Sequence, residues 1–313
     1  MERAEVGSRR GRAGEIPGPD DVASALARIA PYRRRTPVFP VEVAGRQLVL
    51  KLEHLQLSGS FKLRGALNAL LASPGATEVV TASGGNHGLG VAVAARLLSR
   101  RATIFVPEDA PDSKAARIVA AGAELVRAGG TYSEAVEAAL DRVERRGGRY
   151  LPAYDDPLVV AGQGTVAAEV AQDAPQVDAI VVAVGGGGLA AGSALGGGGR
   201  KVVAVEPERC CSFHDALVAG RPVDAPTDSV AASALGATRV GEVPFAVLSA
   251  GSAESVLVSD EEMLAARDAL FEELRLAVEP ASAAGYAAWL AGRVEAELPC
   301  VVLCGANTEW VPS

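Results

Sequence analysis

AIVVAVGGGGLAAGSALGGGGRKVVAVEP, residues 179–207, is the stretch on which the fold class turns. The apolar run 179–184 reads as a strand, Gly185–Gly188 as a turn, residues 189–195 as a helix and KVVAV (201–205) as the next strand. Similar short β-branched runs recur at RQLVLKL (46–52), TEVVT (77–81), ATIFV (102–106), AELVR (123–127) and PCVVL (299–303). Between them, GLGVAVAARLLSR (88–100), YSEAVEAALDRVERR (132–146) and EEMLAARDALFEEL (261–274) space their apolar residues by three and four. Strand alternating with helix predicts an open α/β architecture with largely parallel sheets, whose ligands bind in the loops at the carboxyl ends of the strands. The two glycine runs call for different explanations. Gly185–Gly188 follow a strand and open a helix, so their N–H groups face outward at a helix N-terminus and suit a phosphate. Gly196–Gly199 follow Leu195 and read as a helix stop and a solvated connection.

The bulk numbers exclude several classes of function. A chain of 313 residues suggests roughly two domains. Lys and Arg total 30 against 38 Asp and Glu, a formal charge of −8, and no clustered basic helix appears, which argues against a nucleic-acid partner. No apolar run approaches the ~18 residues that cross a bilayer, and the N-terminus lacks the apolar core of a secretory signal. The expectation is a cytoplasmic protein with no membrane partner and a mobile leader of about 18 residues that contains Arg9, Arg10 and Arg12. Cys210, Cys211, Cys300 and Cys304 show no CxxC spacing, so reduced thiols and no metal are expected.

Three segments carry the chemistry. In KLEHLQLSGSFKLRGALNALL (51–71) a strand ends near Leu52 and a helix starts after Ser60, which puts Lys62 in its first turn. The positive end of the helix dipole opposes a cation there, and a shielded amine at this point would favour the neutral form that Schiff-base chemistry needs. TASGGNHGLGVAVAARLL (81–98) again runs strand, glycine-rich turn, helix; Ser83, Asn86 and the loop N–H groups could converge on a carboxylate or a ring hydroxyl, or Asn86 and His87 could simply cap the helix. The third is the glycine turn itself. Gly186-x-Gly188-x-x-Ala191 with Glu206 about 20 residues on also fits a dinucleotide fingerprint.

SGSFKLRGA (58–66), SGGNHG (83–88), AGQGT (161–165), GGGGLAAG (185–192), VEP (205–207) and LCGAN (303–307), in this order and separation, resemble the pyridoxal-phosphate enzymes of fold type II. Within these the chain most resembles the threonine/serine dehydratases, relatives of serine racemase, from about residue 35 to 309. The resemblance sets aside the dinucleotide reading. It implies two open, twisted, mostly parallel sheets flanked by helices, with residues 1–75 and 152–313 as a large domain that binds pyridoxal 5'-phosphate. Residues 76–151 would form a small domain carrying the substrate loop. It further implies Lys62 as the Schiff-base residue, catalytic together with Ser83, and Phe61 stacked on the pyridine ring. Asn86 would meet the ring hydroxyl, Gly185, Gly186, Gly187, Gly188 and the N–H of Leu189 the phosphate, and Cys304 the pyridine nitrogen. Ser83, Gly84 and His87 belong to the loop that takes the substrate carboxylate. A neutral thiol at the ring nitrogen weakens the electron sink, which suits prompt loss of a β-substituent. The implied reaction converts a 2-amino-3-hydroxy acid such as L-threonine or L-serine to a 2-oxo acid and ammonia.

Departures from that pattern set further expectations. Serine racemases carry a second serine where this chain has Gly84, so racemisation should be poor. Ser229, in TDSV (227–230), stands where relatives have a glycine beside the substrate. The cation site of the racemase-like members, near Glu206, would need partners at Cys210 and Ser212, and neither is a carboxylate. The chain ends soon after LCGAN, so feedback control by isoleucine is not expected. A homodimer or homotetramer is expected. Alternatives on the same fold are a β-replacement synthase, an amino-acid racemase, and a noncatalytic binder of the cofactor.

Overall fold

The computed structural model describes residues 15–251 and 253–310; Arg9, Arg10 and Arg12 of the expected leader lie outside these. In chain order the elements are α1 (Pro19–Ile29), β1 (Val38–Val43), β2 (Arg46–Lys51), a 3-10 turn (Glu53–Leu55), α2 (Lys62–Leu71), β3 (Glu78–Ala82), α3 (Asn86–Leu97), β4 (Arg101–Val106), α4 (Asp112–Ala120), β5 (Glu124–Arg127), α5 (Tyr132–Arg146) and β6 (Arg149–Tyr150). There follow α6 (Pro157–Asp173), β7 (Ala179–Ala183), α7 (Gly188–Gly196), β8 (Lys201–Pro207), α8 (Ser212–Ala219), α9 (Ala232–Leu235), α10 (Glu242–Ala250), β9 (Glu254–Val258), α11 (Asp260–Leu274), α12 (Pro280–Leu290) and β10 (Pro299–Val302). Two sheets result, one in the order β1-β2-β10-β7-β8-β9 and one in the order β5-β4-β3-β6. Every pairing is parallel except the edge hairpin β1-β2. The expected α/β architecture with mostly parallel sheets is therefore present.

The strand order does the positioning. In the large sheet β10 lies between β2 and β7, with Val301 opposite Leu50 on one side and Val181 on the other. Three loops leave the carboxyl ends of these neighbouring strands: the Lys62 loop after β2, the glycine turn after β7, and Leu303–Cys304–Gly305 after β10. The Phe61 N–H donates to the Cys304 carbonyl at 3.0 Å, and Ser60 pairs with Gly305 in an isolated bridge, which ties the lysine loop to the cysteine strand. The fourth functional loop, Ser83–Gly85, leaves the carboxyl end of β3 in the small sheet.

Helices α2, α6 and α7 pack through glycines. A Cβ on Gly162 of α6 would come within 2.7 Å of the Arg64 carbonyl of α2, and one on Gly192 of α7 within 2.5 Å of the Gly164 N of α6. A Cβ on Gly196 would collide with the carbonyl of Gly164. This corrects the reading of the second glycine run: α7 continues through Gly196, where another backbone occupies the space that a side chain would need. Gly198 and Gly199, both exposed and at φ +63° and +82°, form the solvated connection.

A buried ionic cluster fastens the back of α2. Arg64 donates to Glu53 Oε2 and Glu169 Oε1 at 2.7 and 2.9 Å, Lys51 Nζ to Glu169 Oε2 at 2.7 Å, and Arg33 Nε lies 2.9 Å from Glu169 Oε1. Thr36 donates its hydroxyl to Glu53. Charged groups this deep need such multiple partners, because each has lost its hydration.

Candidate active site

Lys62 is the first residue of α2 and is half-buried. Its Nζ donates to the Ala153 carbonyl at 2.9 Å and lies 5.2 Å from the centre of the Phe61 ring. Burial is the main cause that pulls its amine down to about 8, with Cys304 and Glu279 opposing. The Cys304 thiol is itself pushed up to about 12 by burial, so it stays protonated at neutral pH and offers Lys62 no negative charge. Its Sγ is 3.2 Å from the Ser282 hydroxyl, which also bridges the N–H and carbonyl of Gly305 at 2.6 Å each.

One cleft, enclosing about 410 Å³ and open to solvent, brings together Phe61, Lys62, Asn86, Gly185, Gly187, Gly188, Leu189 and Cys304. Gly187, at φ +90°, turns the chain into the N-terminus of α7, and only a glycine takes that conformation without strain. Gly186 is not on this cleft wall; the Tyr154 ring packs where its side chain would be. Leu235 of α9 closes over the turn, for a Cβ on Gly185 would come within 2.9 Å of its Cα.

The structure divides the substrate-loop residues. Gly84 lines a second, adjoining cleft of about 350 Å³ together with Gly85 and Asn86. Ser83 lines neither cleft; its Oγ accepts the Gly85 N–H at 3.3 Å within its own turn. The His87 side chain is buried elsewhere, its Nε2 3.0 Å from the Leu151 carbonyl, and burial and the Lys62 charge hold its pKa down at about 3. Only the backbone of His87 is thus left to the loop. Ser229 is a correction: it lines neither cleft and donates instead to Asp260 Oδ1 at 2.6 Å, while Ser233, Ala234 and Leu235 reach the cleft walls. The chain turns into α9 before it meets the site.

Glu206 has no place in a cation site of the racemase type. Its oxygens accept the Phe213 and His214 N–H groups of α8 at 2.9 and 2.8 Å, Ser212 Oγ donates to the Gly185 carbonyl at 3.1 Å, and burial pushes the carboxyl up to about 8. Among the described residues no group of three or more His, Cys, Asp or Glu is arranged to hold a metal. Cys210 and Ser212 add no carboxylate, so the residues present do not fit a divalent cation.

Sequence reasoning missed Glu279. It lines both clefts, accepts from Asn86 Nδ2 at 2.6 Å, and is pushed up to about 7 by burial despite that bond. Asn307 Nδ2 donates to Asn86 Oδ1 at 2.7 Å, so both ends of the Asn86 amide are fixed. A signal existed: Val278-Glu279-Pro280 repeats the tripeptide Val205-Glu206-Pro207 before another helix start.

The residues present fit pyridoxal phosphate. A buried amine of lowered pKa, a glycine turn at a helix N-terminus, a held amide, an aromatic ring and a protonated thiol share one cleft. The sequence model of the family described as pyridoxal-phosphate dependent enzyme matches residues 29–305. The L-threonine ammonia-lyase of Geobacter sulfurreducens is 39% identical over 278 residues, 86% of this chain and 69% of that protein. The L-threo-3-hydroxyaspartate ammonia-lyase of Saccharomyces cerevisiae is 33% identical over 307 residues, 94% of each chain. Among solved structures, the T.th. threonine deaminase superposes with a TM-score of 0.89 at 36% identity, covering 95% of this chain and 100% of that one.

Proposed function

The chain belongs to the pyridoxal-phosphate-dependent enzymes of fold type II, in the threonine/serine dehydratase group, and from that premise we propose that it is a lyase converting a 2-amino-3-hydroxy acid to a 2-oxo acid and ammonia. The observation that carries the proposal is the shared cleft, which Lys62 lines together with the glycine turn, Asn86 and Cys304. Pyridoxal phosphate, when bound, supplies a conjugated ring that takes up negative charge from the substrate α-carbon. Lys62 would hold its aldehyde carbon, and Gly185–Gly188 with the N–H of Leu189 would receive its phosphate at the start of α7. Asn86, clamped between Glu279 and Asn307, keeps one Nδ2 hydrogen free for the ring hydroxyl. Phe61 would stack on the ring, and the Cys304 thiol would leave the ring nitrogen uncharged.

Once substrate is bound, Lys62 is the base that takes the α-proton. With a pKa of about 8 it exchanges protons near neutral pH, where an ordinary lysine stays charged. The loop Ser83–His87 would hold the α-carboxylate through backbone N–H groups at the N-terminus of α3, with Ser83 shaping the turn. Gly84 offers no hydroxyl on the opposite face of the α-carbon, so elimination should far outpace racemisation.

By this reading residues 1–75 and 152–313 hold the cofactor and residues 76–151 present the substrate loop, in a cytoplasmic homodimer or homotetramer; no described helix is long and apolar enough to cross a membrane. The direct test is ammonia and 2-oxo acid release by purified holoenzyme from a panel of β-hydroxy amino acids, with chiral analysis of residual serine. Release from none of them ends the lyase reading, and D-serine formed faster than pyruvate would replace it with a racemase.

A further inference from the structure

Ser58, Asn307 and Asn86, from three separate loops, form one chain of hydrogen bonds that ends on Glu279. Ser58 follows β2, Asn86 opens α3, Asn307 follows β10 and Glu279 is the N-cap of α12. Asn307 Nδ2 donates to the Ser58 carbonyl at 2.9 Å and to Asn86 Oδ1 at 2.7 Å, and Asn86 Nδ2 donates to Glu279 Oε1 at 2.6 Å. The two ends of an amide are nearly the same size, so packing alone cannot choose between an amide and its flipped form. Partners of fixed polarity can. A peptide carbonyl only accepts, so Ser58 turns the Nδ2 of Asn307 toward itself. Both hydrogens of that nitrogen are then committed, and the one that faces Asn86 requires an oxygen there. Glu279 accepts at the other end of Asn86, whether ionised or protonated, since the acid keeps a carbonyl oxygen. Asn307 Oδ1 lies against Gly59, where a Cβ would stand 2.5 Å from it, so glycine at this position leaves room for the amide.

We propose that Asn307 and Glu279 are positioning residues that fix the polarity of the Asn86 amide, so that a donor, and never an acceptor, meets the ring hydroxyl of the cofactor. This rests on the pyridoxal-phosphate reading of the cleft and is independent of the reaction catalysed there. A flipped Asn86 would set Oδ1 against the ring oxygen, and two acceptors repel where a donor would bond. The Ser58 carbonyl is the fixed end of the chain, because a backbone group cannot reverse its polarity.

The test uses the full chain freed of cofactor and titrated, by absorbance, with pyridoxal 5'-phosphate and with 3-deoxypyridoxal 5'-phosphate, which keeps the aldehyde and the phosphate but lacks the ring hydroxyl. The wild type should bind pyridoxal phosphate at least about tenfold tighter, the worth of a hydrogen bond to a charged oxygen. Asn307→Leu and Glu279→Leu should each cut that preference at least about fivefold, by weakening pyridoxal phosphate far more than its deoxy analogue. Glu279→Gln should keep the preference within about twofold, because its amide oxygen accepts in place of the carboxylate. Equal binding of the two compounds by the wild type overturns the proposal, as does a preference that either leucine variant leaves unmoved. Equal weakening of both compounds also overturns it, being the result expected of residues that only hold the fold together, and so does a glutamine variant as impaired as the leucine one. The expected preferences in a chain that releases no ammonia from any hydroxy amino acid would uphold the polarity lock and remove the lyase reading instead.

Discussion

Lys62 and Glu279 show how much a single buried site alters an ordinary side chain. The lysine loses part of its affinity for a proton through burial, and Lys62→Ala should lower kcat/KM by at least about 10³-fold, since base and cofactor attachment vanish together. Single-turnover and absorbance measurements on the variant check this; residual activity within tenfold of wild type would assign the base elsewhere. Glu279 is held near 7, above its ordinary 4.5, so the protonated acid favours the folded chain. That contribution is complete below about pH 4.5 and is lost as pH rises through about 7. The stability of the wild type relative to Glu279→Gln should therefore fall by about 3 kcal/mol, as an upper figure, between acid and mildly alkaline pH. Urea unfolding at matched cofactor content measures it, and a difference flat with pH contradicts an acid whose burial outweighs its bond from Asn86. Lys62 was legible in the sequence because helix start and motif coincide there. Glu279 was not, because its meaning comes from Asn86, which lies 193 residues away.

Among the elements, α7 connects the glycine turn to the packing of the molecule. Gly196→Ala would press a methyl group onto the Gly164 carbonyl, and because that obstacle is backbone rather than a flexible side chain, α7 itself must shift. Expected costs are about 2–3 kcal/mol of stability and a weakened affinity for pyridoxal phosphate, since the helix N-terminus moves with the helix. Gly199→Ala meets nothing within 4 Å and pays only for its φ of +82°, about 1 kcal/mol, with cofactor affinity unchanged. Equilibrium titration with the cofactor separates the two; equal behaviour would mean that the run is a uniform connection. The sequence pattern found every strand of the central parallel block, whose apolar runs are continuous. It missed the hairpin strand β1, where Pro40 interrupts VFPVEV and the two turn residues are Ala44 and Gly45 at φ 51° and 73°. The two-residue β6, too short to mark a strand, and the partly exposed edge strand β9 (ESVLV) were also missed.

At the scale of the whole molecule, the cluster of Arg33, Lys51, Arg64, Glu53 and Glu169 joins the segment after α1 to β2, α2 and α6. Arg64 stands two residues after Lys62, nearly on the opposite side of α2, so the cluster grips the back of the helix whose front presents the amine. Glu169→Gln would leave three buried cations with one carboxylate. A loss of about 3–5 kcal/mol is expected, with little relief from added salt because the pair sites are closed to ions. Denaturant midpoints at low and high ionic strength give the measurement; a loss under about 1 kcal/mol would show that the cluster rearranges freely. The composition announced none of this, because charged residues in a sequence read by default as surface.

The sequence by itself determined the alternation of strand and helix, the glycine turn at a helix start, and the lysine, asparagine and cysteine proposed to carry the chemistry. Each of these is written in periodicity or in a short motif, and both are local. The tertiary structure decided that β10 lies between β2 and β7, that Glu279 holds Asn86, that the Ser83 hydroxyl is engaged within its own turn and the His87 ring at the Leu151 carbonyl, and that Lys114 and Arg117 share a cleft with the substrate loop. Those outcomes depend on which surfaces are buried against which, a balance settled by the packing of the entire chain, and no short window of residues contains it.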